Sequence, residues 1–273
     1  YKFNGEILSA DSRQVYRGMD IGTGKDKSEY FISNQQIRYH LIDIADPSEE
    51  YNLFRFKNDF IEAYKEIISR GKIPVMVGGT GMYLSSIIQD YKLIEGNPSL
   101  HDDLDKLPPE KLKDILINKK IMHNTTDLVS KDRIIKAIVA GSGENALSFK
   151  VCSCVIGVHY ERDEIKKRIT ARLKQRLESG MIEEVKNLIA KGITIERLIS
   201  LGLEYKFVAL YLDGKLNYDD MFRKLNSSIH AFAKRQMTWY RKMEREGVKI
   251  NWIEKGDFSK AEQIVKKFLE DEI

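Results

Sequence analysis

The stretch Ile73-Pro74-Val75-Met76-Val77-Gly78-Gly79-Thr80-Gly81 narrows the fold more than any other in this chain. An apolar run this short, entering glycines without a polar alternation, predicts a buried strand that ends in a tight turn. Ahead of it, Leu53, Phe54, Phe60, Ile61, Tyr64, Ile67 and Ile68 recur at helical spacing over residues 53–70, and Gly71 supplies the stop. Residues 6–10 and 39–44 form two earlier apolar runs, the second ending at the turn signal Asp46-Pro47. Strand, helix, strand in this rhythm predicts a right-handed parallel crossover and an α/β sheet with helices on both faces.

From about residue 97 the character changes. Asn97-Pro98 and Pro108-Pro109 punctuate a polar stretch with helical pieces over residues 110–118 and 132–139, and residues 141–145 read as a flexible return linker. A strand over 151–158 then re-enters the sheet. Helices follow over 163–179, 182–190 and 218–246, stopped by Gly180, Gly192 and Gly247. The organisation expected is an α/β core in two parts, residues 1–92 and 146–273, interrupted by a small helical insertion at 93–145.

The 273 residues, 42% of them hydrophobic, suffice for one substantial core. No run of about 18 apolar residues offers a membrane span, and the first residues lack the charged-then-apolar layout of a signal peptide, so the cytoplasm is the expected compartment. Cys152 and Cys154, two apart on an expected strand, share a face and supply only half a zinc site; reduced structural thiols are the plain reading. No His or Cys cluster has metal-ligand spacing. A net charge of +4 is too small to argue for nucleic acid, so the distribution of charge has to.

Chemistry concentrates at the end of the first strand, where Asp11, Ser12, Arg13, Gln14 and Tyr16 bring an acid, a hydroxyl, a guanidinium, an amide and a phenol together. In open α/β sheets, ligands bind at strand ends of this kind. Asp11 can serve as a base or as a turn former. A phosphate-binding Gly-x-x-x-x-Gly-Lys-Ser/Thr loop is missing: the near match from Gly18 to Asp26 has five residues between its flanking glycines and an aspartate where the hydroxyl belongs. Arg168, Arg172 and Arg176 recur every four residues along one helix face. In the last long helix, Lys234, Arg235, Arg241, Lys242 and Arg245 fall away from the apolar face, with Trp239 and Tyr240 at hand.

The segment from Ala10 to Thr23, Ala-Asp-Ser-Arg-Gln-Val-Tyr-Arg-Gly-Met-Asp-Ile-Gly-Thr, resembles the signature of the tRNA dimethylallyltransferases. Three further blocks resemble that family in its own order: Tyr39-His40-Leu41-Ile42-Asp43, Gly78-Gly79-Thr80-Gly81-Met82-Tyr83 and Ala233-Lys234-Arg235-Gln236-Met237-Thr238-Trp239. The resemblance implies a P-loop NTPase-like fold and transfer of a dimethylallyl group from dimethylallyl diphosphate to N6 of the adenosine 3′ of the anticodon. It assigns Asp11 as the base that takes the proton from the amine, and places Thr80 and Arg172 at the reacting centre. The diphosphate falls to Gly78, Gly79, Thr80 and Arg172. For tRNA it implies Asp11, Ser12, Arg13, Gln14 and Tyr16 at the flipped adenine, Asp132, Arg133 and Lys136 on the anticodon stem-loop, and Lys234, Arg235, Gln236, Trp239 and Arg241 along the last helix. Mg2+ comes with the diphosphate, held by a P-loop hydroxyl with Asp11 reached through water. A monomer is expected.

In the resembled family the P-loop and its helix stand directly before the segment that here begins at Tyr1. The chain is therefore expected to start inside a domain, roughly 20 to 25 residues past the beginning of such a unit. The insertion is short for the family, with His101 where an arginine is common and Val139-Ala140 in place of an acid. The rival readings are an adenylate dimethylallyltransferase, a tRNA-binding relative without catalysis, and a P-loop nucleotide kinase. Against the first stand the Ser12-Arg13-Gln14-Val15-Tyr16-Arg17 form of the first motif and the basic last helix, neither of which a free nucleotide requires; an intact P-loop in the upstream coding sequence would remove the second, and the third predicts a phosphorylated product without tRNA dependence.

Overall fold

A computed structural model of the chain describes residues 1–96, 100–118, 128, 130–140 and 146–272. Its first half contains β1 (Gly5–Ser9), a small hairpin of β2 (Phe31–Ile32) and β3 (Gln35–Gln36), β4 (Tyr39–His40), α1 (Leu53–Ser69), β5 (Ile73–Val77) and α2 (Gly81–Ile88). The strands β4, β1 and β5 form a parallel sheet with β1 in the middle, Ile7 lying beside Tyr39 on one side and Val75 on the other. Asn52 starts α1 by accepting a hydrogen bond from the Arg55 amide, and Phe56, Phe60, Ile61 and Ile67 bury one stripe of it. Phe56 stacks on Tyr83 of α2 at 3.8 Å, fixing α1 and α2 against each other.

β4 is shorter than the apolar run 39–44 predicts. Leu41 and Asp43 both take left-handed backbone angles, and the amides of Asp43, Ile44 and Ala45 turn to the carbonyls of Gln14 and Val15. The run leaves the sheet to support the segment after β1.

The insertion is bounded by β6 (Leu93–Ile94) and β7 (Ala146–Leu147), which pair antiparallel, and contains α3 (His101–Asp105), α4 (Pro109–Asn118) and α5 (Lys131–Ala140). Leu104, Leu112, Leu116, Ile134, Ile135 and Ile138 form a core separate from the main one. Its root is pinned by the fully buried Lys57, which donates to Asp90 and to the Tyr91 carbonyl, while Asp90 accepts from the Phe149 amide and Ser148. The expected linker 141–145 and the Asn97-Pro98 break lie outside the described residues.

The remainder runs β8 (Val155–His159), α6 (Arg162–Glu178), α7 (Met181–Ala190), α8 (Ile195–Leu201), α9 (Leu203–Leu212), α10 (Tyr218–Arg245), β9 (Ile250–Glu254) and α11 (Phe258–Glu272). Two expectations need correction. The strand begins at Val155, so Cys152 and Cys154 precede it and share no strand face; neither is in a disulfide among the described residues. Nor, among the described residues, does β8 join the first sheet: there it pairs parallel with β9 alone. Between β5 and β8 lies an apolar groove of about 570 Å³, lined by Val75 and Val77 on one side, Val155 and Val158 on the other, and Phe268 and Leu269 of α11. Val77 and Val158 are each about half exposed there.

At the start of β1, away from the strand end that carries the polar cluster, Glu6 is buried and accepts from Arg70 at 2.7 Å while sharing a hydrogen bond of 2.8 Å with His40. The Arg70 hydrogen bond outweighs burial and, with His40, holds the carboxyl at about 2 against an ordinary 4.5. A depressed folded value adds stability above the unfolded pKa and loses it as pH falls. Urea unfolding of the native protein and Glu6→Gln should therefore differ by about 3 kcal/mol at pH 7 and converge between pH 5 and 2. A constant gap across that range would mean that Glu6 acts by packing alone.

Candidate active site

The end of β1 is built around Asp11. Its Oδ1 accepts from the Arg13 amide at 2.8 Å and the Gln14 amide at 3.3 Å, closing a turn in which the side chain takes the place of a carbonyl. The other oxygen, Oδ2, has no hydrogen-bond or ion-pair partner among the described residues. The two readings of this aspartate are thus divided between its two oxygens: one forms the turn, and the other is available to accept a proton.

The glycine turn after β5 lies against this segment. Thr80 accepts from the Ser12 amide at 3.0 Å, its hydroxyl donates to Ser12 Oγ, and its amide donates to the Ala10 carbonyl. A Cβ on Gly78 would stand 2.4 Å from the Ala10 carbonyl oxygen, so only glycine allows the two strand ends to come this close. Thr80 is also the N-cap of α2. Its carbonyl accepts from the Tyr83 and Leu84 amides, so the amides of Gly81 and Met82 are the ones left at the positive end of the helix.

From the other side α10 docks on the turn. Gln236 donates to the Gly79 carbonyl at 2.8 Å, and Trp239 lies against Gly81 and donates to Ser85 at 2.7 Å, with Lys242 over its ring. Both residues brace the turn, and neither is a free surface group. Lys234, Arg235 and Arg241 are exposed on the same helix.

Tyr16 is a correction. It is 2% exposed, and its hydroxyl accepts from the Tyr51 amide and Arg197, so it supports the segment from beneath and cannot touch an adenine. Arg197 also donates to the Pro47 and Glu49 carbonyls, tying the 46–50 loop to the same place. From that loop Glu50 meets Lys136 at 3.5 Å, which also pairs with Asp132 at 3.4 Å. Asp132, Arg133 and Lys136 are exposed on α5.

The loop over residues 20–25 closes another side. Glu184 of α7 accepts from the amides of Asp20, Ile21 and Gly22 and from the Tyr205 hydroxyl, all within 3.0 Å. Gln14 donates to the Gly24 carbonyl at 3.1 Å, linking that loop to the Asp11 turn. The lysine of the near-match loop points into the protein: Lys25 is buried and donates to Asp20, Asp43 and the Tyr16 carbonyl. It has no phosphate-facing direction.

The arginine stripe of α6 divides. Arg168 lies over the Tyr160 ring at 4.6 Å, Arg176 donates to the Gly22 carbonyl at 3.1 Å, and Arg172 keeps solvent contact in the cleft. Burial, then the nearby charge of Arg176, hold the Arg172 guanidinium below its ordinary value; Glu204 and Asp26 act the other way. It stays charged, as an arginine does. Glu204, on the first turn of α9, was invisible to the motif reading because it belongs to no recognisable spacing. Its only signal is the glycine before it, in Leu201-Gly202-Leu203-Glu204. Burial pushes its carboxyl up, while Arg176 and Arg172 pull it down and Asp11 opposes them, so Asp11, Arg172, Arg176 and Glu204 share one electrostatic neighbourhood.

The arrangement is a cleft with a carboxylate oxygen free to accept a proton, a hydroxyl and helix N-terminus beside it, and a cation opposite. Comparison with known proteins agrees with its sequence signature. The family described as IPP transferase matches residues 14–243. The tRNA dimethylallyltransferase 2 of Bacteroides fragilis is 48% identical over 261 residues, covering 93% of this chain and 85% of that protein. The full-length tRNA isopentenylpyrophosphate transferase of Bacillus halodurans superposes with a TM-score of 0.67 at 31% identity, over 99% of this chain and 88% of its own. The tRNA delta(2)-isopentenylpyrophosphate transferase of Staphylococcus epidermidis gives 0.67 at 26%, over 99% and 91%.

Proposed function

The chain belongs to the IPP transferase family and is a tRNA-prenylating enzyme, and we propose that it moves a dimethylallyl group from dimethylallyl diphosphate to N6 of the adenosine 3′ of the anticodon. The observation that carries this reading is the divided carboxylate of Asp11, held in place through Oδ1 and unpartnered at Oδ2, beside the Thr80 hydroxyl.

The exocyclic amine of adenine is a weak nucleophile because its lone pair is delocalised into the ring. As N6 attacks the allylic carbon, the carbon–oxygen bond to the diphosphate breaks and N6 loses a proton, which Asp11 Oδ2 accepts. The diphosphate leaves with growing negative charge. The backbone of Gly78 and Gly79, the Thr80 hydroxyl, the α2 N-terminus and Arg172 are the groups that meet it. Ser12, Arg13 and Gln14 border the place an adenine must occupy once it leaves its stack. Lys234, Arg235 and Arg241 are exposed cations suited to phosphates, and Asp132, Arg133 and Lys136 form the corresponding strip on the insertion.

Mg2+ is part of this proposal. The ion would keep most of its waters and lean on substrate phosphates, with Asp11 at one remove. When bound, it would neutralise charge on the diphosphate. Among the described residues no helix is long and apolar enough to cross a membrane.

The test is to incubate the full chain with Mg2+, dimethylallyl diphosphate and unmodified tRNA, digest the RNA and weigh its nucleosides. Isopentenyl adenosine at the position 3′ of the anticodon is the expected product. Prenylation of free adenylate and not of tRNA would overturn the acceptor, and its absence in folded protein would overturn the reading.

A further inference from the structure

Two arginines one helical turn apart on α6, Arg172 and Arg176, both serve the cleft, and like charges at that spacing repel. Arg172 is acted on by the charge of Arg176 and, less, by that of Arg168. A negative group beside such a pair offsets that repulsion. Arg176 has a fixed task already, donating to the Gly22 carbonyl and lying so close to Gly24 that a Cβ there would collide with its guanidinium. The group left to shift is Arg172.

Glu204 is placed to prevent this. Its side chain is 14% exposed and that of Arg176 15%, and their charged atoms approach to 3.8 Å, an ion-pair contact longer than a hydrogen bond. The carboxylate is brought there by an abrupt change of direction: Gly202 and Leu203 both take positive φ, ending α8 and starting α9 within two residues. For leucine that conformation is costly, so the rest of the structure must hold it. No side chain hydrogen-bonds to Glu204 among the described residues. Its charge, more than a directed contact, is what it contributes.

We propose that Glu204 is a positioning residue whose carboxylate offsets the repulsion between Arg172 and Arg176 and so keeps Arg172 aimed into the cleft for the donor's diphosphate. This rests on the reading of Arg172 as a diphosphate ligand. The sign of the effect is distinctive. If Glu204 were only a nearby negative charge, removing it would strengthen binding of an anion. If it positions Arg172, removing it weakens that binding although the site becomes more positive.

The experiment measures the affinity of the full chain for inorganic diphosphate, and the KM for dimethylallyl diphosphate and for tRNA, in the native protein, Arg172→Gln, Glu204→Gln, Glu204→Asp and Glu204→Gln/Arg176→Gln. Glu204→Gln should weaken diphosphate binding and raise the donor KM about tenfold, leaving the tRNA KM unchanged. Glu204→Asp, which keeps the charge, should stay near native, and the double variant should recover most of the loss because the repelling cation has gone. Equal or tighter diphosphate binding by Glu204→Gln overturns the proposal, as does a double variant no better than the single one. If Glu204→Gln does not fold, the comparison of Glu204→Asp with the double variant decides: both near native supports the proposal, and both impaired overturns it. Failure of the parent reading looks different, since Arg172→Gln would then bind diphosphate as the native protein does.

Discussion

Asp11→Ala is expected to slow single-turnover prenylation by about 10²- to 10⁴-fold, the usual range for a lost general base, while tRNA affinity changes little. The alanine variant alone does not separate the two jobs of this side chain, because it also removes the acceptor for the Arg13 and Gln14 amides. Asp11→Asn does. Its amide oxygen can still accept those two hydrogen bonds, but the remaining group is a donor and cannot take a proton. If the free Oδ2 is the base, Asp11→Asn is slowed as much as Asp11→Ala with melting behaviour close to native. If Asp11 only forms the turn, asparagine restores the rate. Weakened tRNA binding with an unchanged single-turnover rate would also remove the catalytic role.

Local sequence signals revealed this site unevenly, for reasons that particular residues make clear. The strand 73–77 and its glycines were legible because continuous apolar residues ending in glycine leave few alternatives, and the structure gives Gly78 and Gly81 each a contact that no side chain would permit; its burial was not, since Val75 and Val77 stand exposed along the groove. The long helices at α6, α7 and α10 were legible from periodicity and glycine stops. What failed were features decided by distant partners. The run 39–44 reads as a strand, yet Leu41 and Asp43 turn it away because Val15 and Lys25 supply better partners than another strand does. Tyr16 reads as a polar group beside a site, but its hydroxyl is claimed by Arg197 and the Tyr51 amide. The join of α8 to α9 and the placement of Glu204 follow from two positive φ angles, one of them at a leucine, that no local propensity suggests.

At Lys25 sequence and structure give one answer: the spacing around it rules out a phosphate-binding loop, and its side chain is turned into the protein. Its side chain is 1% exposed, and its ammonium meets Asp43 at 2.5 Å and Asp20 at 2.7 Å. Burial works to raise the Asp43 carboxyl, but the hydrogen bonds from Lys25 and Lys27 prevail and hold it below its ordinary value. Lys25→Met removes the buried cation and leaves Asp20 and Asp43 with the partly exposed Lys27, 3.8 Å from Asp20 and 2.6 Å from Asp43, as the cation between them. Breaking a buried pair from one side costs about 3–5 kcal/mol, and the half-exposed Asp20 places this case toward the lower figure. Thermal unfolding should fall by roughly 6 to 12 °C. The Asp43 contribution is present above the unfolded carboxylate pKa and fades as pH falls, so the stability gap between native and variant should narrow below about pH 4. Lys25→Met/Asp43→Asn should recover part of the loss, because it removes one of the two carboxylate charges left to Lys27. Donor KM, measured well below the variant's melting point, decides the functional question: a phosphate-binding lysine would raise it sharply, whereas a buried lysine that holds the 20–25 loop to the end of β4 leaves it near native.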